Sequence, residues 1–159
     1  MRAIDSAATT CFIGRVNEVD GGISWGGASG GPAAATVLAV EDETVLRLLI
    51  ELSLGRAGYK VLGAASGEEA LRLWGEHPGR IDLLVTDVIL PGAVDGIALI
   101  RRLRAECPAL RVICTSGSGG DRIVLGPDGG ERPTVVVKPY ESADLVAAVQ
   151  RVLAGTPGR

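Results

Sequence analysis

The stretch Thr36-Val-Leu-Ala-Val-Glu-Asp42 decides the fold class of this sequence. Its first five residues form an apolar run with the length of a buried strand, and two acids end the run. The same arrangement recurs at Ile81-Asp-Leu-Leu-Val-Thr-Asp87, and a helical pattern follows each of the two stretches. Short apolar runs that alternate with helical segments predict a parallel β-sheet whose strands are connected by helices.

Three further apolar runs complete a predicted sheet of five strands. They are Lys60–Ala64, Arg111–Thr115 and Thr134–Val137. Since helical segments separate the strands, we expect an α/β fold, a doubly wound parallel sheet with helices on both faces. Ligands of such sheets bind at the carboxyl ends of the strands, so the residues that follow each strand are the candidate functional residues.

The helical patterns cover residues 44–57, Ser66 to about Trp74, Asp95 to about Glu106, and a last segment that begins at Ser142. Ser66 and Asp95 are N-cap residue types. Apolar residues at helical spacing are Val45, Leu48, Leu49 and Leu52 in the first helix and Leu145, Ala148, Val149, Val152 and Leu153 in the last. These stripes predict amphipathic helices, and the stripe of the last helix suits a weak homodimer as well as the core of a monomer.

Glycine is concentrated in two segments. Of the 23 glycines, six lie in residues 21–31 and six in residues 117–130. The first cluster predicts a flexible leader over residues 1–35, before a domain at 36–154 and a short tail at 155–159. The second cluster lies between the last two strands, where it predicts that the fourth helix is shortened or replaced by a loop over residues 117–133.

The composition excludes several classes of protein. A formal net charge of −3, with two Trp, two Tyr and one Phe, provides neither the basic surface nor the stacking platforms of a nucleic-acid-binding protein. One His and three Cys without a C-x-x-C motif cannot form the usual zinc frameworks. No apolar run has the length of a membrane span, and no signal peptide is recognisable. We therefore expect a cytoplasmic protein that binds neither nucleic acid nor membranes.

Polar residues follow four of the five predicted strands. Glu41 and Asp42 follow the first strand, Asp87 the third, Ser116 the fourth and Lys138 the fifth. Three carboxylates at one edge of a sheet repel one another unless a cation lies among them, and oxygen ligands with open positions suit Mg²⁺. An ammonium and a hydroxyl are groups that can hold a phosphoryl oxygen. The pattern therefore predicts a Mg²⁺ site that handles a phosphoryl group.

These residues and their order resemble the receiver domain of bacterial two-component response regulators. The resemblance covers roughly residues 36–154, and its motifs are Glu41-Asp42, Asp87 followed by Pro91, Asp95-Gly96, Thr115-Ser116-Gly117 and Lys138-Pro139. It implies the flavodoxin-like strand order 2-1-3-4-5, for which a receiver protein is a known example.

The resemblance implies a role for each acidic residue. Asp87 would be the phosphoacceptor, a carboxylate nucleophile that forms an aspartyl phosphate. Asp42 and Asp87 would bind Mg²⁺, together with Glu41, directly or through water, and the backbone carbonyl of Ile89. Ile89 also stands where related aspartate phosphatases carry a second acid, so it argues against a hydrolase and predicts a long-lived phosphoryl group.

The remaining site residues would contact the phosphoryl group or support those that do. Lys138 would pair with a phosphoryl oxygen, and its bond to Pro139 is expected to be cis. Ser116 would be the switch hydroxyl because it directly precedes Gly117, and Thr115 beside it is the alternative.

Two features depart from the common pattern of the family. Val135 occupies the position three residues before the lysine where the family usually has an aromatic switch residue. The loop Pro91–Asp95 has an extra residue, as in the receivers of hybrid sensor kinases.

The resemblance implies a single-domain response regulator that is not an enzyme. It would accept a phosphoryl group from a sensor histidine kinase or a histidine phosphotransfer protein and relay the signal by protein–protein interaction or phosphotransfer. The expected docking surface is the start of the first helix, at Thr44, Val45 and Arg47. One alternative is a non-phosphorylated pseudo-receiver that acts as a scaffold or dimerisation module. In another, Asp42 and Glu43 merely cap the first helix.

Overall fold

A single parallel sheet forms the centre of the molecule. The computed structural model describes residues 34–117 and 132–155. The strands are β1 (Thr36–Val40), β2 (Lys60–Ala64), β3 (Leu83–Asp87), β4 (Arg111–Ser116) and β5 (Thr134–Val137). Their order is β2-β1-β3-β4-β5, and every neighbouring pair is parallel. The predicted α/β class and the strand order 2-1-3-4-5 are confirmed.

Four helices connect or follow these strands in the described part of the chain. They are α1 (Thr44–Arg56), α2 (Gly67–Glu76), α3 (Gly96–Glu106) and α4 (Ser142–Ala154). The predicted leader and the predicted shortening of the helix between β4 and β5 concern residues 1–33 and 118–131, which lie outside the described residues. None of the helices in the described ranges has the length and apolar character needed to cross a bilayer.

Helices cover both faces of the sheet, as predicted. Because successive strand residues point to opposite faces, Leu38 and Leu84 pack with α2 and α3, whereas Val37 and Val85 pack with α1 and α4. All four side chains are almost completely inaccessible to solvent. Two separate apolar clusters, one on each face, therefore hold the sheet and fix the positions of its carboxyl ends.

The predicted helix caps are present at α2 and α3. The backbone N–H of Glu69 donates to Oγ of Ser66 (3.1 Å), and the N–H of Ala98 donates to Oδ1 of Asp95 (2.8 Å). Each bond satisfies a donor that the helix itself leaves unpaired. The start of α3 at Gly96, nine residues after Asp87, is therefore fixed by its own sequence.

Helix α1 forms where the periodicity predicts it but does not pack through the predicted stripe. Ile50 and Leu54 are its buried residues and join the core cluster that contains Leu145 of α4. The residues of the predicted stripe are about half to two-thirds exposed: Val45, Leu48, Leu49 and Leu52. We call these four the exposed α1 face. The helix carries apolar residues on more of its circumference than the sheet can cover.

Candidate functional site

Three carboxylates meet at the carboxyl edge of the sheet. β1 and β3 are neighbours, and the register places Val40 beside Thr86, so that Glu41 and Asp87 leave adjacent strands at the same level. One oxygen from each of Glu41, Asp42 and Asp87 lies within 4.8 Å of the others. The convergence expected from the strand ends is therefore present.

Lys138 reaches the same cluster from the far side of β4. Its Nζ donates to Oε2 of Glu41 (2.8 Å) and to Oδ2 of Asp87 (2.6 Å). The backbone N–H of Lys138 donates to the carbonyl of Ser116 (2.8 Å), and the Lys138–Pro139 bond is cis, as expected. Burial of Nζ lowers the pKa of Lys138, but the hydrogen bonds to Asp87 and Glu41 outweigh it and raise the pKa above its usual value. The side chain therefore stays charged at neutral pH.

Asp87 is held by contacts on both carboxylate oxygens. Oδ2 accepts the bond from Lys138, and Oδ1 accepts one from the backbone N–H of Ile89 (3.0 Å). The hydroxyl of Thr86 donates to the Asp87 carbonyl oxygen (2.9 Å). The Asp87 side chain is 13% exposed, whereas that of Glu41 is only 2% exposed. Of the two acids that contact Lys138, Asp87 is thus the one that an incoming group can reach.

Gly96 packs directly against the backbone of Asp87. A Cβ built on Gly96 would overlap the Asp87 carbonyl oxygen and lie 2.9 Å from Cα of Val88. The Gly96 N–H donates to the Val88 carbonyl (3.1 Å). Gly96 is not among the glycines with positive φ, so this close approach, and not an unusual turn, requires the absence of a side chain.

The backbone after β1 is tied to α1. Oε1 of Glu41 accepts the N–H of Glu43 (3.2 Å), and the Glu41 carbonyl accepts from Arg47 (2.9 Å). Arg47 also lies 4.0 Å from Glu51, so its guanidinium is engaged within the chain; its part in the predicted docking surface stays a prediction. Glu43 is the N-cap residue but makes no side-chain cap bond. The alternative that Asp42 and Glu43 serve mainly as caps therefore finds no support.

The remaining predicted residues lie at the same edge. Thr115 pairs with Asp87 in the β3–β4 register, and Ser116 follows it at the end of β4. Both are buried, whereas Gly117 is exposed and a Cβ there would meet no described neighbour within 4 Å. Ile89 projects its side chain at the rim, 77% exposed. The metal-binding role of its carbonyl stays a prediction.

The donor set fits a hard divalent cation. Three carboxylates against one ammonium leave an excess of two negative charges when all are ionised. Oxygen ligands with one exposed member, Asp42, suit Mg²⁺, which keeps several water ligands. Glu41, Asp42 and Asp87 are therefore able to hold this ion.

Two residues near the site had no signal in the sequence. Glu68 of α2 accepts hydrogen bonds from the backbone of Ala93 (2.8 Å) and Val94 (3.3 Å), beyond the end of β3. The Tyr140 hydroxyl is buried without a hydrogen-bond partner among the described residues, and burial raises the pKa of Tyr140. Neither arrangement follows from local periodicity, because each depends on how separate elements pack.

The chain is similar to known signalling proteins over most of its length. The family described as response regulator receiver domain matches residues 37–150. The transcriptional regulatory protein AfsQ1 of Streptomyces coelicolor is 38% identical over 118 residues, which are 74% of this chain and 51% of AfsQ1. The sensor kinase CckA of Brucella abortus is 36% identical over 120 residues, 76% of this chain and 13% of that protein. The chain thus spans at most about half the length of these relatives.

Solved structures agree with the sequence matches. The receiver domain of the hybrid histidine kinase CckA has a TM-score of 0.63 and 36% identity, covering 75% of this chain and 99% of that one. A response regulator receiver protein from Sinorhizobium medicae has a TM-score of 0.68 and 30% identity, covering 77% of this chain and 96% of that one. The solved structures therefore share the fold of this chain.

Proposed function

Because this chain belongs to the family of response regulator receiver domains, we propose that it accepts a phosphoryl group on Asp87 with Mg²⁺. The observation that carries the proposal is the contact of one ammonium, Lys138 Nζ, with Asp87 and Glu41 beside a third carboxylate. Acidic residues that merely end a strand do not need such an arrangement. Phosphoryl transfer, in contrast, needs a nucleophile, a cation site and a fixed positive charge. We place the receiver domain at residues 36–154.

Asp87 is the proposed nucleophile. Its oxygen attacks the phosphorus atom, the bond from phosphorus to the donor breaks, and the donor leaves with the electron pair. In this site Glu41, Asp42, Asp87 and the Ile89 carbonyl would hold Mg²⁺, and its charge would offset that of the phosphoryl oxygens. Glu41 is too buried to reach a phosphoryl donor, and Asp42 makes no ion pair with Lys138 in the described structure.

Lys138 and Ser116 act on the product. In the described structure the Lys138 ammonium binds Oδ2 of Asp87. Once Asp87 carries the phosphoryl group, this ammonium pairs with a phosphoryl oxygen. Ser116, at the end of β4, donates its hydroxyl to another phosphoryl oxygen, supported by Thr115, Gly117 and the turn at Pro139. The exposed apolar side chain of Ile89 has no group that could activate water. We therefore propose a signalling domain with a long-lived phosphoryl group and not a hydrolase.

The exposed α1 face is the proposed binding site of the phosphoryl donor. α1 begins at Thr44, two residues after Asp42, so a protein that covers Val45 and Leu48 also lies beside the acidic cluster. Unpartnered apolar residues beside a reactive site are typical of a protein interface. The similarity to the sensor kinase CckA supports a sensor histidine kinase or a histidine phosphotransfer protein as the donor.

The proposed output is a protein–protein interaction or a further phosphotransfer, in the cytoplasm, by a monomer or weak homodimer. Residues 37–150 match the family, and both described core clusters lie within this range. This supports a receiver domain that acts as a unit. That it binds neither nucleic acid nor membrane is proposed from its net charge of −3 and its few aromatic residues.

Phosphorylation by acetyl phosphate tests the proposal. With Mg²⁺ the wild-type chain should gain the mass of one phosphoryl group, and Asp87→Asn should gain none because an amide is not a nucleophile. Asp82→Asn is the matched control. Asp82 lies at the opposite end of the sheet, where Oδ2 accepts the N–H of Thr36 (2.8 Å), and an asparagine keeps this acceptor.

Incorporation that persists in Asp87→Asn would move the phosphoacceptor to another residue. A wild-type chain that gains no phosphoryl group from acetyl phosphate or from a histidine kinase would instead be a pseudo-receiver, acting as a scaffold.

A further inference from the structure

The loop of residues 88–95, between β3 and α3, connects the phosphoacceptor strand to the rest of the molecule. Its ends are fixed, since the N–H of Val88 donates to Thr115 (3.1 Å) and the Val88 carbonyl accepts from Gly96. Leu90 and Val94 are buried in one core cluster, and residues 91–93 between them are exposed. The metal-binding carbonyl proposed at Ile89 lies on this loop.

Glu68 of α2 holds the exposed part of this loop. Its Oε1 accepts the N–H groups of both Ala93 and Val94 (2.8 and 3.3 Å), across 25 and 26 residues of sequence. Gly92 has φ +99°, and a Cβ there would lie 2.9 Å from Oε1 of Glu68. A Cβ on Gly67 would overlap the Val94 carbonyl oxygen. Two glycines thus let α2 and the loop approach closely enough for this contact.

Local helix capping accounts for only part of the contacts of Glu68. Ser66 caps α2 through Glu69 N–H, and the Glu69 carboxylate accepts the N–H of Ala65 (2.7 Å). Hydrogen bonds from its own backbone and from Ala93 and Val94 hold the pKa of Glu68 below its usual value. Its carboxylate is therefore ionised at neutral pH and directed at the loop.

We infer that Glu68 is a positioning residue for the cation site, which it serves by fixing the loop that carries the Ile89 carbonyl. This inference rests on the proposed Mg²⁺-dependent function. Without the carboxylate, residues 91–93 lose their only described side-chain acceptor. The backbone from Ile89 through Leu90 to residue 93 then gains freedom, although the Leu90 side chain stays in the core. Metal affinity then falls although both core anchors of the loop remain.

Calorimetric titration of the full chain with Mg²⁺ alone tests the inference. Residues that orient metal ligands typically change affinity by about 10–100-fold, and for this more distant contact we expect about fivefold weaker binding in Glu68→Ala. Glu68→Gln should stay close to wild type because the amide oxygen accepts the same two N–H groups. Glu76→Ala is the control for charge on the same helix, since within the described part of the chain Glu76 pairs with Arg72 alone, at the surface.

A second variant separates positioning from folding. Glu68→Asp keeps the negative charge in the first turn of α2 but withdraws it by one methylene, so it should weaken Mg²⁺ binding as alanine does, even if the alanine variant fails to fold. Wild-type affinity in Glu68→Asp, or an equal loss in Glu68→Gln, would overturn the inference. Absence of Mg²⁺ binding by the wild-type chain would instead overturn the proposed function.

Discussion

The environment of Asp87 is assembled from separate segments of the chain. Lys138 supplies the charge, Ile89 the backbone donor to Oδ1, and Thr86 the hydroxyl at the carbonyl. Strand ends predict that Asp87, Glu41 and Lys138 meet, because parallel strands place their carboxyl ends at one edge. The packing of Gly96 against the Asp87 carbonyl could not be predicted, since it depends on the exact approach of α3 to β3.

Gly96→Ala should disturb the site by displacing the backbone of Asp87. The new methyl group would overlap the Asp87 carbonyl, and overpacking of this kind costs about 1–3 kcal/mol. We expect a lower free energy of unfolding in urea and slower phosphorylation by acetyl phosphate. Gly75→Ala is the matched control because a Cβ there meets no described neighbour, and in a helix it should stabilise by about 0.5–1 kcal/mol. Wild-type stability and rate in Gly96→Ala would contradict this account.

Among the elements, α1 shows that periodicity can predict a helix but not which of its sides is buried. The spacing of Val45, Leu48, Leu49 and Leu52 correctly predicts a helix but not the side that faces the sheet, which is that of Ile50 and Leu54. Apolar side chains for a core and for a partner surface are chemically the same. The distinction follows only from the packing of α1 between the sheet and α4.

The double variant Leu48→Ser, Leu52→Ser should impair phosphoryl transfer from a protein donor but not from a small-molecule donor. If a histidine-bearing partner covers the exposed α1 face, the loss of two apolar contacts of about 1 kcal/mol each should slow the transfer roughly tenfold or more. The rate with acetyl phosphate should be unchanged, because neither residue contacts the acidic cluster. The measurement compares both donors on the same protein, using a histidine kinase that phosphorylates the wild type. Equal rates of wild type and variant with the kinase would place its docking surface elsewhere.

For the whole molecule, the sequence predicts the sheet better than the contacts across it. The strand order comes from the resemblance and agrees with the structure. The bounds come from apolar runs and agree for β1, β2 and β5, whereas β3 begins two residues later than the run at Ile81 and includes Asp87, and β4 includes Ser116. The contact of Glu68 with Ala93 joins α2 to the loop after β3, and how closely these two approach depends on small residues, here Gly67 and Gly92. Local patterns contain no information on such fits, so positioning residues are harder to predict than the strand-end residues they support.

Lys138 connects β5 to β1 and β3, and this connection should appear in the pH dependence of stability. Its pKa is higher in the folded chain than its usual value of about 10.4 because Asp87 and Glu41 accept its hydrogen bonds. Below about pH 10.4 the ammonium is charged in both the folded and the unfolded chain, so its contribution is fully present. As the pH rises further, the unfolded chain loses the proton first, and the contribution falls until the folded pKa is passed.

The free energy of unfolding of the wild type, relative to Lys138→Met, should therefore decline above about pH 10.4 by at most about 1.4 kcal/mol per pH unit. Urea unfolding from neutral to alkaline pH measures this difference. Because the charge of Lys138 lowers the pKa of Tyr140, both proteins should also carry Tyr140→Phe, so that tyrosine ionisation does not differ between them. A difference that stays constant through the alkaline range would mean that the ammonium gains nothing from the two carboxylates.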